Sequence, residues 1–283
     1  MNILVTNDDG YKASGLRSLV KVLRPLGDIT VVAPKFHQSG MSMAITMGFK
    51  PIAVKKLSEE PSERWYYLDG TPASCVKFGI DNVIGPGARA DLVVSGINHG
   101  ANAATACLYS GTVGSAIEGA VNGIPAIAVS LDTLDPDADF SAVEQLLPGI
   151  IDNILSMSDR SRKGLVFNIN FPNIPLSEIK GVRLARMGMA HWEREYQKYD
   201  PDSLRAVGVS PTREDLAKVA GAEPGEEFYV MAGDFTDEES NTPDSDHRLM
   251  FGGYVAVTVH DFDNTARAEI ERLRALGFEK DFR

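Results

Sequence analysis

Two adjacent carboxylates, Asp8 and Asp9, follow the first apolar run of the chain in the sequence MNILVTNDDG. Each carboxylate raises the pKa of the other unless a cation neutralises the pair. Ligand atoms that are all oxygen suit Mg²⁺, Mn²⁺ or Ca²⁺ better than zinc, which favours His and Cys. The same tetrapeptide, NDDG, is also typical of a turn that caps a helix, because Asn, Asp and Gly dominate turns. Taken alone, NDDG favours the turn, so the metal hypothesis depends on what other loops supply.

Two more predicted loops carry oxygen-bearing side chains. Residues 34–42 (PKFHQSGMS) include Ser39, and residues 95–102 (SGINHGAN) include Asn98. In an open parallel sheet, ligands bind outside the carboxyl ends of the strands, so we expect these loops to meet NDDG at one sheet edge. A hydroxyl from Ser39 and an amide oxygen from Asn98 would complete a metal site with the two aspartates. His99 is a weaker candidate for a general acid, because a single loop histidine is more often incidental.

An anion site is predicted in residues 109–116 (YSGTVGSA), where Ser110, Gly111 and Thr112 precede a helix. Their N–H groups and hydroxyls can point at an anion, and Gly111 allows close approach of the backbone. Simple N-capping by Ser110 or Thr112 is the alternative. A metal at one loop and an anion site at another is the arrangement that hydrolysis of a phosphate ester requires.

Other features narrow the class of protein. The sequence has no Gly-x-Ser-x-Gly elbow of a serine hydrolase, and GPGARA (residues 85–90) lacks the spacing of a dinucleotide site. We expect LDGTPASC (residues 68–75) to form a turn that opens onto a helix and lines the substrate pocket. The net charge of −11 and a pI near 5.0 argue against a nucleic-acid polymer or an anionic membrane as a partner.

The elements that would position these loops alternate along the chain. A short apolar run at residues 3–5 predicts a strand buried on both faces. The apolar residues Leu16, Leu19, Val20 and Leu23 lie on one face of a helix, and DITVVAP (residues 28–34) predicts the next strand. This βαβ unit continues with strands predicted in ADLVVSG, AIAVS and GLVFNINFP and with helices near residues 113–121 and 143–154. The fold class is therefore α/β, a Rossmann-like, mostly parallel sheet with helices on both faces.

Three regions depart from this alternation. Between about residues 36 and 74, the sequence predicts a β-ribbon carried beside the sheet. Residues 1–180 are expected to form the catalytic core, while residues 181–283 supply C-terminal strands, an extended arm used in oligomerisation and a terminal helix within the same globular unit. We expect that helix to be capped by Asn264 or Thr265, and the acidic run at residues 234–247 to be a solvated loop.

Cysteine content and the start of the chain suggest a compartment. The two cysteines, Cys75 and Cys107, are too few and too far apart for a disulfide framework or a zinc ribbon, so we expect buried free thiols. The chain starts directly with a predicted strand, without a basic leader, and has no apolar run long enough to cross a bilayer. We therefore expect a cytoplasmic protein.

Taken together, the motifs resemble those of one family, the SurE survival proteins, which are metal-dependent 5′/3′-nucleotidases. The matching segments cover about the first 130 residues in the family's order. They are ILVTNDDGYKASGLRSL, VVAPKFHQSGMSMAIT, LDGTPASCV, DLVVSGINHGANA, YSGTVGSAIEG and GIPAIAVS. An ordered set of this kind is specific, whereas each motif alone is not. Weaker similarity follows in FNINFP and GGYVAVTVHDFD, and residues 187–246 match only loosely.

The resemblance implies one divalent cation per subunit, Mg²⁺ or Mn²⁺, and hydrolysis of nucleoside 5′-monophosphates to nucleoside and phosphate. It extends to 3′-monophosphates and short polyphosphate as further substrates. By motif position, Asp8, Asp9, Ser39 and Asn98 would be metal ligands, whereas Ser110, Gly111 and Thr112 would bind the phosphate together with Asn98. Family members form homodimers or homotetramers that exchange C-terminal elements, in keeping with the predicted arm.

The mechanism expected from these residues is attack by water, with either Asp8 or Asp9 as the base. A covalent aspartyl-phosphate is the alternative, since an Asp after the first strand also serves as nucleophile in other phosphatases. A non-catalytic nucleotide- or metabolite-binding module with a structural cation is a competing class. A metal-dependent glycosyltransferase is a third, which the lack of an intervening residue between the two aspartates disfavours.

Overall fold

The computed structural model describes residues 1–85, 87–135, 137–157, 164–206 and 211–281. These residues divide into two compact units. Unit 1 comprises Met1–Gly188 and Thr242–Arg283, and unit 2 comprises Met189–Asn241. No helix in the described ranges has both the length and the apolar character needed to cross a membrane.

The strands within the described residues are short and mostly apolar. In chain order they are β1 (Asn2–Thr6), β2 (Asp28–Pro34), β3 (Val54–Glu60), β4 (Glu63–Leu68), β5 (Leu92–His99), β6 (Ala126–Leu131), β7 (Leu165–Phe171), β8 (Val182–Ala185), β9 (His191–Glu193), β10 (Tyr196–Lys198), β11 (Tyr229–Met231), β12 (Asp234–Thr236) and β13 (Val255–Asp261).

The helices alternate with the strands in the first half of the chain. In the described part they are α1 (Ser14–Leu23), α2 (Pro72–Phe78), α3 (Gly111–Val121), α4 (Ser141–Met157), α5 (Pro201–Ala206), α6 (Arg213–Ala220), α7 (Asp246–Phe251) and α8 (Arg267–Ala275). Short 3₁₀ turns cover Arg24–Leu26, Ala104–Leu108 and Leu176–Glu178, and a π-helical turn covers Gly79–Ile84.

Nine of these strands form one sheet in unit 1, in the order β3-β4-β2-β1-β5-β6-β7-β13-β8. Six neighbouring strands of this order run parallel to one another: β4, β2, β1, β5, β6 and β7. At one edge β3 is antiparallel to β4, and near the other β13 is antiparallel to β7. The predicted fold class, a mostly parallel α/β sheet, is confirmed.

Helices cover both faces of this sheet, because successive residues of each central strand point to opposite sides. Ile3 and Val5 of β1 belong to one apolar core with residues of α1 and α4, whereas Leu4 belongs to a second core with residues of α2 and α3. Since the central strands are buried on both faces, they carry nearly continuous apolar runs. The same burial explains why their polar loops appear at the strand ends. Cys75 and Cys107 are buried free thiols, as expected.

Two predicted boundaries differ from the structure. The segment predicted as a ribbon beside the sheet becomes an integral edge, since β4 pairs in parallel with β2 and β3 pairs with β4. Strand β5 extends to His99, past the point where the sequence predicts a loop. Its pairing with β6 shifts register between Ser95 and Asn98, so the glycine-containing segment there is an irregularity within the strand.

The C-terminal region also differs from expectation in its details. The predicted strands β8 and β13 belong to the main sheet. Unit 1 therefore includes residues that precede unit 2 in the chain and residues that follow it. Helix α8 begins at Arg267, after Ala266, and has no side-chain cap; the predicted cap by Asn264 or Thr265 is wrong. The acidic run is not wholly solvated, because Asp246, 0% exposed, lies at the buried start of α7.

Unit 2 contains two short antiparallel ribbons, β9 with β12 and β10 with β11. The rings of Trp192 and Phe235 pack edge to face at 5.6 Å between centroids in the first ribbon. Helix α6 begins with a capping box, in which Thr212 and Asp215 each satisfy the other's backbone N–H. These local interactions account for the order of a unit that has few buried apolar side chains.

Candidate active site

The acidic loop lies between two neighbouring strand ends at the carboxyl edge of the sheet. Asp8 and Asp9 follow β1, which lies between β2 and β5 in the sheet. The loop after β2 is tied to the acidic loop by a main-chain hydrogen bond, from the N–H of Gln38 to the carbonyl of Asp8 at 2.7 Å. Asn98 lies near the end of β5. The topology therefore brings together three of the loops singled out in the sequence.

Asp8 is held by the start of α3. The hydroxyl of Thr112 donates to Asp8 Oδ1 at 2.6 Å, and the N–H of Thr112 donates to Asp8 Oδ2 at 3.1 Å. The helix approaches so closely that a Cβ on Gly111 would lie 2.8 Å from Asp8 Cβ. Only glycine fits there without displacing the carboxylate. Both oxygens of Asp8 are thus oriented by one threonine, and its side chain is almost fully buried.

Asn98 points its amide oxygen at the same threonine. Its Nδ2 donates to the carbonyls of Gly100, at 2.8 Å, and His99, at 3.3 Å. This leaves Asn98 Oδ1 at 3.5 Å from the hydroxyl of Thr112. Because that hydroxyl donates its hydrogen to Asp8, oxygen atoms of Asp8 and Asn98 flank a single hydroxyl group. The predicted pairing of Asp8 with Asn98 is therefore present in the geometry.

Asp9 faces two imidazoles. His37 Nδ1 lies 3.4 Å from Asp9 Oδ1, while His99 Nδ1 lies 3.4 Å and His99 N 3.3 Å from Asp9 Oδ2. His37 is exposed, and no sequence pattern distinguishes it from an incidental loop residue. His99 was a weak candidate on sequence, yet it contacts the acidic pair directly. Both histidines are polar neighbours of the acidic pair, and of the two only His99 was named from the sequence, as a weak candidate for a general acid.

The two aspartates have opposite electrostatic surroundings. Burial raises the pKa of Asp8 from 3.8 to about 6, and the charge of Asp9 adds to this effect against the opposing hydrogen bonds of Thr112. Burial also acts to raise the pKa of Asp9, but hydrogen bonds from His37 and His99 outweigh it and lower that pKa to about 2. Within the described residues Asp8 forms no ion pair, whereas Asp9 lies beside both histidines.

Ser39 and Ser110 are placed less directly than predicted. Ser39 is exposed, and within the described residues no hydrogen bond joins its side chain to the other three predicted ligands. Its loop is tied to the acidic loop by the N–H of Gln38 and by the contact of His37 with Asp9. Ser110 is the N-cap of α3, and its hydroxyl accepts from the N–H of Val113 at 3.0 Å. The capping alternative therefore describes Ser110, and the donors of Thr112 are directed at Asp8.

The available donor atoms fit a hard cation. Asp8, Asp9 and Asn98 offer carboxylate and amide oxygens at one strand edge, and Asp8 is a buried charge in need of compensation. Across the described ranges, no group of three or more His, Cys, Asp or Glu side chains is arranged to hold a metal. A site here would accordingly use amide and hydroxyl oxygens beside the carboxylates, a set that differs from the thiolates and imidazoles typical of structural zinc.

A buried asparagine network supports the loop that carries Asn98. The N–H of Asn102 donates to Asn170 Oδ1 at 2.7 Å, and its Nδ2 donates to Ser130 Oγ at 2.8 Å. Asn168 Nδ2 donates to the carbonyl of Asn102 at 2.7 Å. These contacts join β6 and β7 to the residues after β5. Sequence analysis missed them because residues 102 and 170 are far apart in the chain.

Asp246 is a second buried carboxylate in unit 1. Its Oδ2 accepts from the N–H of Ala104 at 3.0 Å, and its Oδ1 accepts from the N–H groups of Gly188, at 3.0 Å, and His247, at 2.8 Å. Three backbone donors therefore satisfy this carboxylate. It fixes the turn after the asparagine network to the strand end near Gly188, and this role was not visible in the acidic run of the sequence.

Comparison with known proteins places this geometry in context. The family model described as Survival protein SurE matches residues 3–194. The chain is 37% identical over 272 residues to a protein named 5′-nucleotidase SurE from Christiangramia forsetii, covering 96% of this chain and 95% of the relative. It is 36% identical over 277 residues to 5′/3′-nucleotidase SurE from Proteus mirabilis, covering 97% and 95%.

A solved structure agrees with these sequence matches. The crystal structure of the SurE protein from Aquifex aeolicus superposes with a TM-score of 0.76 at 29% identity, and the alignment covers 98% of this chain and 100% of that one. The match extends beyond the segments that carry the sequence motifs. The acidic loop, the strand end bearing Asn98 and the start of α3 therefore lie in a known architecture, and the chain belongs to the SurE family.

Proposed function

We propose that this protein is a divalent-metal-dependent 5′-nucleotidase that hydrolyses nucleoside 5′-monophosphates to nucleoside and phosphate. Nucleoside 3′-monophosphates and short polyphosphate are further proposed substrates. The proposal is supported by the relatives, which are named 5′-nucleotidase or 5′/3′-nucleotidase. The single structural observation that carries it is the Thr112 hydroxyl, flanked by oxygens of Asp8 and Asn98 at the start of α3.

In this proposal, Asp8, Asp9, Ser39 and Asn98 would hold one Mg²⁺ or Mn²⁺ per subunit. When bound, such a cation neutralises phosphoryl charge and lowers the pKa of a bound water. Asp8 enters this set already oriented by Thr112, and Asn98 is oriented by the carbonyls of His99 and Gly100. Preorganised ligands lose little conformational entropy on binding, which favours affinity.

The start of α3 would receive the phosphate. Ser110, Gly111 and Thr112 lie at its first turn, where backbone N–H groups and the helix dipole favour an anion. The Ser110 hydroxyl accepts from Val113, which leaves its own hydrogen available to a phosphoryl oxygen. Asn98 is a further proposed contact to the phosphate. These groups would stabilise charge on the phosphoryl oxygens in the transition state.

Water is the proposed nucleophile, and Asp8 or Asp9 accepts its proton. Both oxygens of Asp8 accept hydrogen bonds from Thr112, a restraint that suits a ligand or base better than a nucleophile that must rotate toward phosphorus. The covalent alternative predicts an aspartyl-phosphate. Quenching single turnovers with labelled AMP and isolating the protein distinguishes the two mechanisms, because only the covalent route leaves phosphate on the chain.

The decisive experiment is a phosphate-release screen. The purified protein is incubated with AMP, GMP, their 3′ isomers and a simple phosphomonoester, in Mg²⁺, Mn²⁺ or EDTA. We expect release from the nucleotides with metal and none with EDTA, and loss of release in a folded Asp9→Asn variant. Nucleotide binding without release under every metal condition would instead support the non-catalytic binding module. Turnover of a sugar nucleotide would support the glycosyltransferase.

We also propose that the protein assembles as a homodimer or homotetramer through unit 2. Several large apolar side chains of this unit are exposed to solvent, as is typical of a surface that binds another protein. They are Trp192 (50% exposed), Tyr196 (71%), Tyr229 (52%), Met231 (67%) and Phe235 (37%). Light scattering coupled to gel filtration tests this proposal, and a monomer at micromolar concentration would contradict it.

A further inference from the structure

A cavity of about 540 Å³ lies on unit 1 beside α1, and none of its lining residues belongs to the proposed metal or phosphate site. Its walls are formed by α1 and the turn that follows it, and by strands β3 and β4 at one end of the sheet. It contains three cations and two aromatic rings: Arg17, Lys21, Arg24, Tyr11 and Trp65. The volume is within the range of pockets that hold small organic ligands.

The three cations form a row along one side of the helix. Residues 17, 21 and 24 are spaced as i, i+4 and i+7, so their side chains share one helical face. Lys21 pairs with Glu144 at 2.5 Å, and Arg24 pairs with Glu63 at 2.6 Å. Among the described residues, Arg17 has no acidic partner. In a chain with a net charge of −11, this cavity therefore keeps an excess positive charge.

The aromatic side chains present apolar ring surface. Trp65 donates its Nε1 hydrogen to Glu63 at 2.7 Å, so its polar atom is satisfied within the protein. What Trp65 offers a ligand is its ring. Tyr11 packs against Tyr67 with 5.2 Å between ring centroids, which holds the position of its ring. Stacking on such side chains favours a planar ring beyond the area that it buries.

We propose that this cavity is a second ligand site, which binds a planar aromatic group that carries a phosphate, as in a nucleoside monophosphate. The aromatic group stacks against Trp65, and the phosphate pairs with Arg17. The inference uses no residue of the proposed catalytic site and is independent of whether the protein hydrolyses nucleotides.

The cavity is also connected to the acidic loop. Tyr11 comes two residues after Asp9, and its N–H donates to the carbonyl of Pro34 at 2.9 Å. A ligand that contacts the Tyr11 ring therefore touches the segment that holds Asp8 and Asp9.

The two tryptophans of the chain make a direct test possible. In a Trp192→Phe variant, Trp65 is the only indole, so its fluorescence reports on the cavity alone. AMP is titrated into this variant in EDTA. We expect saturable quenching that Arg17→Gln weakens at least about tenfold, since a hydrogen bond to a charged group is lost. Arg213→Gln, a cation of unit 2 outside the cavity, is the matched control and should leave affinity unchanged.

Further titrations test which part of AMP contributes to binding and at which site AMP binds. Adenosine and inorganic phosphate, each tested alone, should bind at least about tenfold more weakly than AMP. Asp9→Asn should leave the quenching unchanged. The proposal is overturned if quenching does not saturate, if Arg17→Gln has no effect, or if Asp9→Asn abolishes the signal, which would place AMP at the acidic loop. Arg17→Lys, with thermal melts of each variant, guards against misfolding as the cause of lost binding.

Discussion

Thr112 gives both of its hydrogen-bond donors to one carboxylate, with its hydroxyl 2.6 Å from Asp8 Oδ1 and its N–H 3.1 Å from Asp8 Oδ2. The first turn of α3 therefore orients the carboxylate that follows β1. An acidic residue at a helix N-terminus is also favoured by the helix dipole. This relationship connects the proposed phosphate-binding turn to the proposed metal site. A substitution in the turn should therefore change the position of the metal ligand Asp8, and a substitution of Asp8 should change the turn.

Removal of the Thr112 hydroxyl should reduce activity strongly. We expect Thr112→Val to lower kcat for phosphate release from AMP by about 10²-fold, the order found when one preorganised donor is removed from an active site. Thr112→Ser keeps the hydroxyl and should retain most of the activity. Equal losses in the two variants would contradict the role assigned to the hydroxyl, because Thr112→Ser retains that group.

Replacing Asp8 should separate stability from function. Its carboxylate is buried, and the rise of its pKa to about 6 corresponds to a cost of roughly 3 kcal/mol for the charged form at neutral pH. An amide can still bond to Thr112, whose hydroxyl can then accept. We expect Asp8→Asn to raise the free energy of unfolding of the metal-free protein by about 1–3 kcal/mol, while phosphate release is lost.

The neighbouring aspartate is the matched control for this experiment. Asp9 gains from His37 and His99, which hold its pKa low, so Asp9→Asn should destabilise the metal-free protein. Urea denaturation in EDTA measures both variants. A shift of the same sign in both would contradict the opposite environments assigned to the two carboxylates.

Gly111 should not tolerate a side chain. A Cβ there would lie 2.8 Å from Asp8 Cβ and 3.1 Å from Pro72 Cγ, so Gly111→Ala must displace the carboxylate or the helix. We expect at least about a tenfold loss of kcat/KM and a lower melting temperature. Gly149 of α4 is the control, since nothing lies within 4 Å of its Cβ position. Gly149→Ala should stabilise the protein by about 0.5–1 kcal/mol without changing kcat/KM.

The asparagine network predicts a positioning effect at a distance from the chemistry. Asn170→Ala leaves the N–H of Asn102 without its acceptor and loosens the segment that follows Asn98. We expect affinity for Mn²⁺ to fall about 10–100-fold, the usual effect of losing a group that orients a ligand. Asn153→Ala, on the exposed face of α4, should change nothing. A purely structural role would lower the melting temperature but leave metal affinity intact.

Sequence reasoning found the parts of the fold that local patterns determine. Strands buried on both faces have continuous apolar runs, and α1 repeats its apolar residues at helical spacing. The sequence therefore predicts both the central strands and α1. Asp8 and Asn98 were paired because the carboxyl ends of parallel strands share an edge. In the structure, oxygens of both residues lie next to the hydroxyl of Thr112, while their role as metal ligands stays a prediction.

Long-range pairing accounts for what the sequence did not reveal. Nothing local to residues 54–68 shows that β4 pairs with β2, which turns the predicted ribbon into a sheet edge. Only the fold brings His37 next to Asp9. The fold likewise brings together Asn102 and Asn170, which are 68 positions apart in the chain. Ser39 had the right residue type, but its exposed side chain makes no hydrogen bond with the other predicted ligands within the described residues.

His260 should make stability depend on pH. Burial lowers the pKa of His260 below its ordinary value of 6.5, and its Nε2 is buried without a hydrogen-bond partner in the described part of the chain. The folded protein keeps this imidazole neutral, whereas the unfolded chain takes up a proton as the pH falls below about 6.5. The stability that His260 contributes is therefore fully present above that pH and is lost below it.

A His260→Gln variant isolates this contribution, because its side chain does not titrate. We expect the free energy of unfolding of the parent protein to fall more steeply than that of the variant between pH 7.5 and pH 5.5. The comparison cancels the effect of His37, whose pKa is raised by its hydrogen bond to Asp9 and which acts in the opposite direction. Parallel pH profiles in urea denaturation would mean that the His260 imidazole protonates equally well in the folded protein.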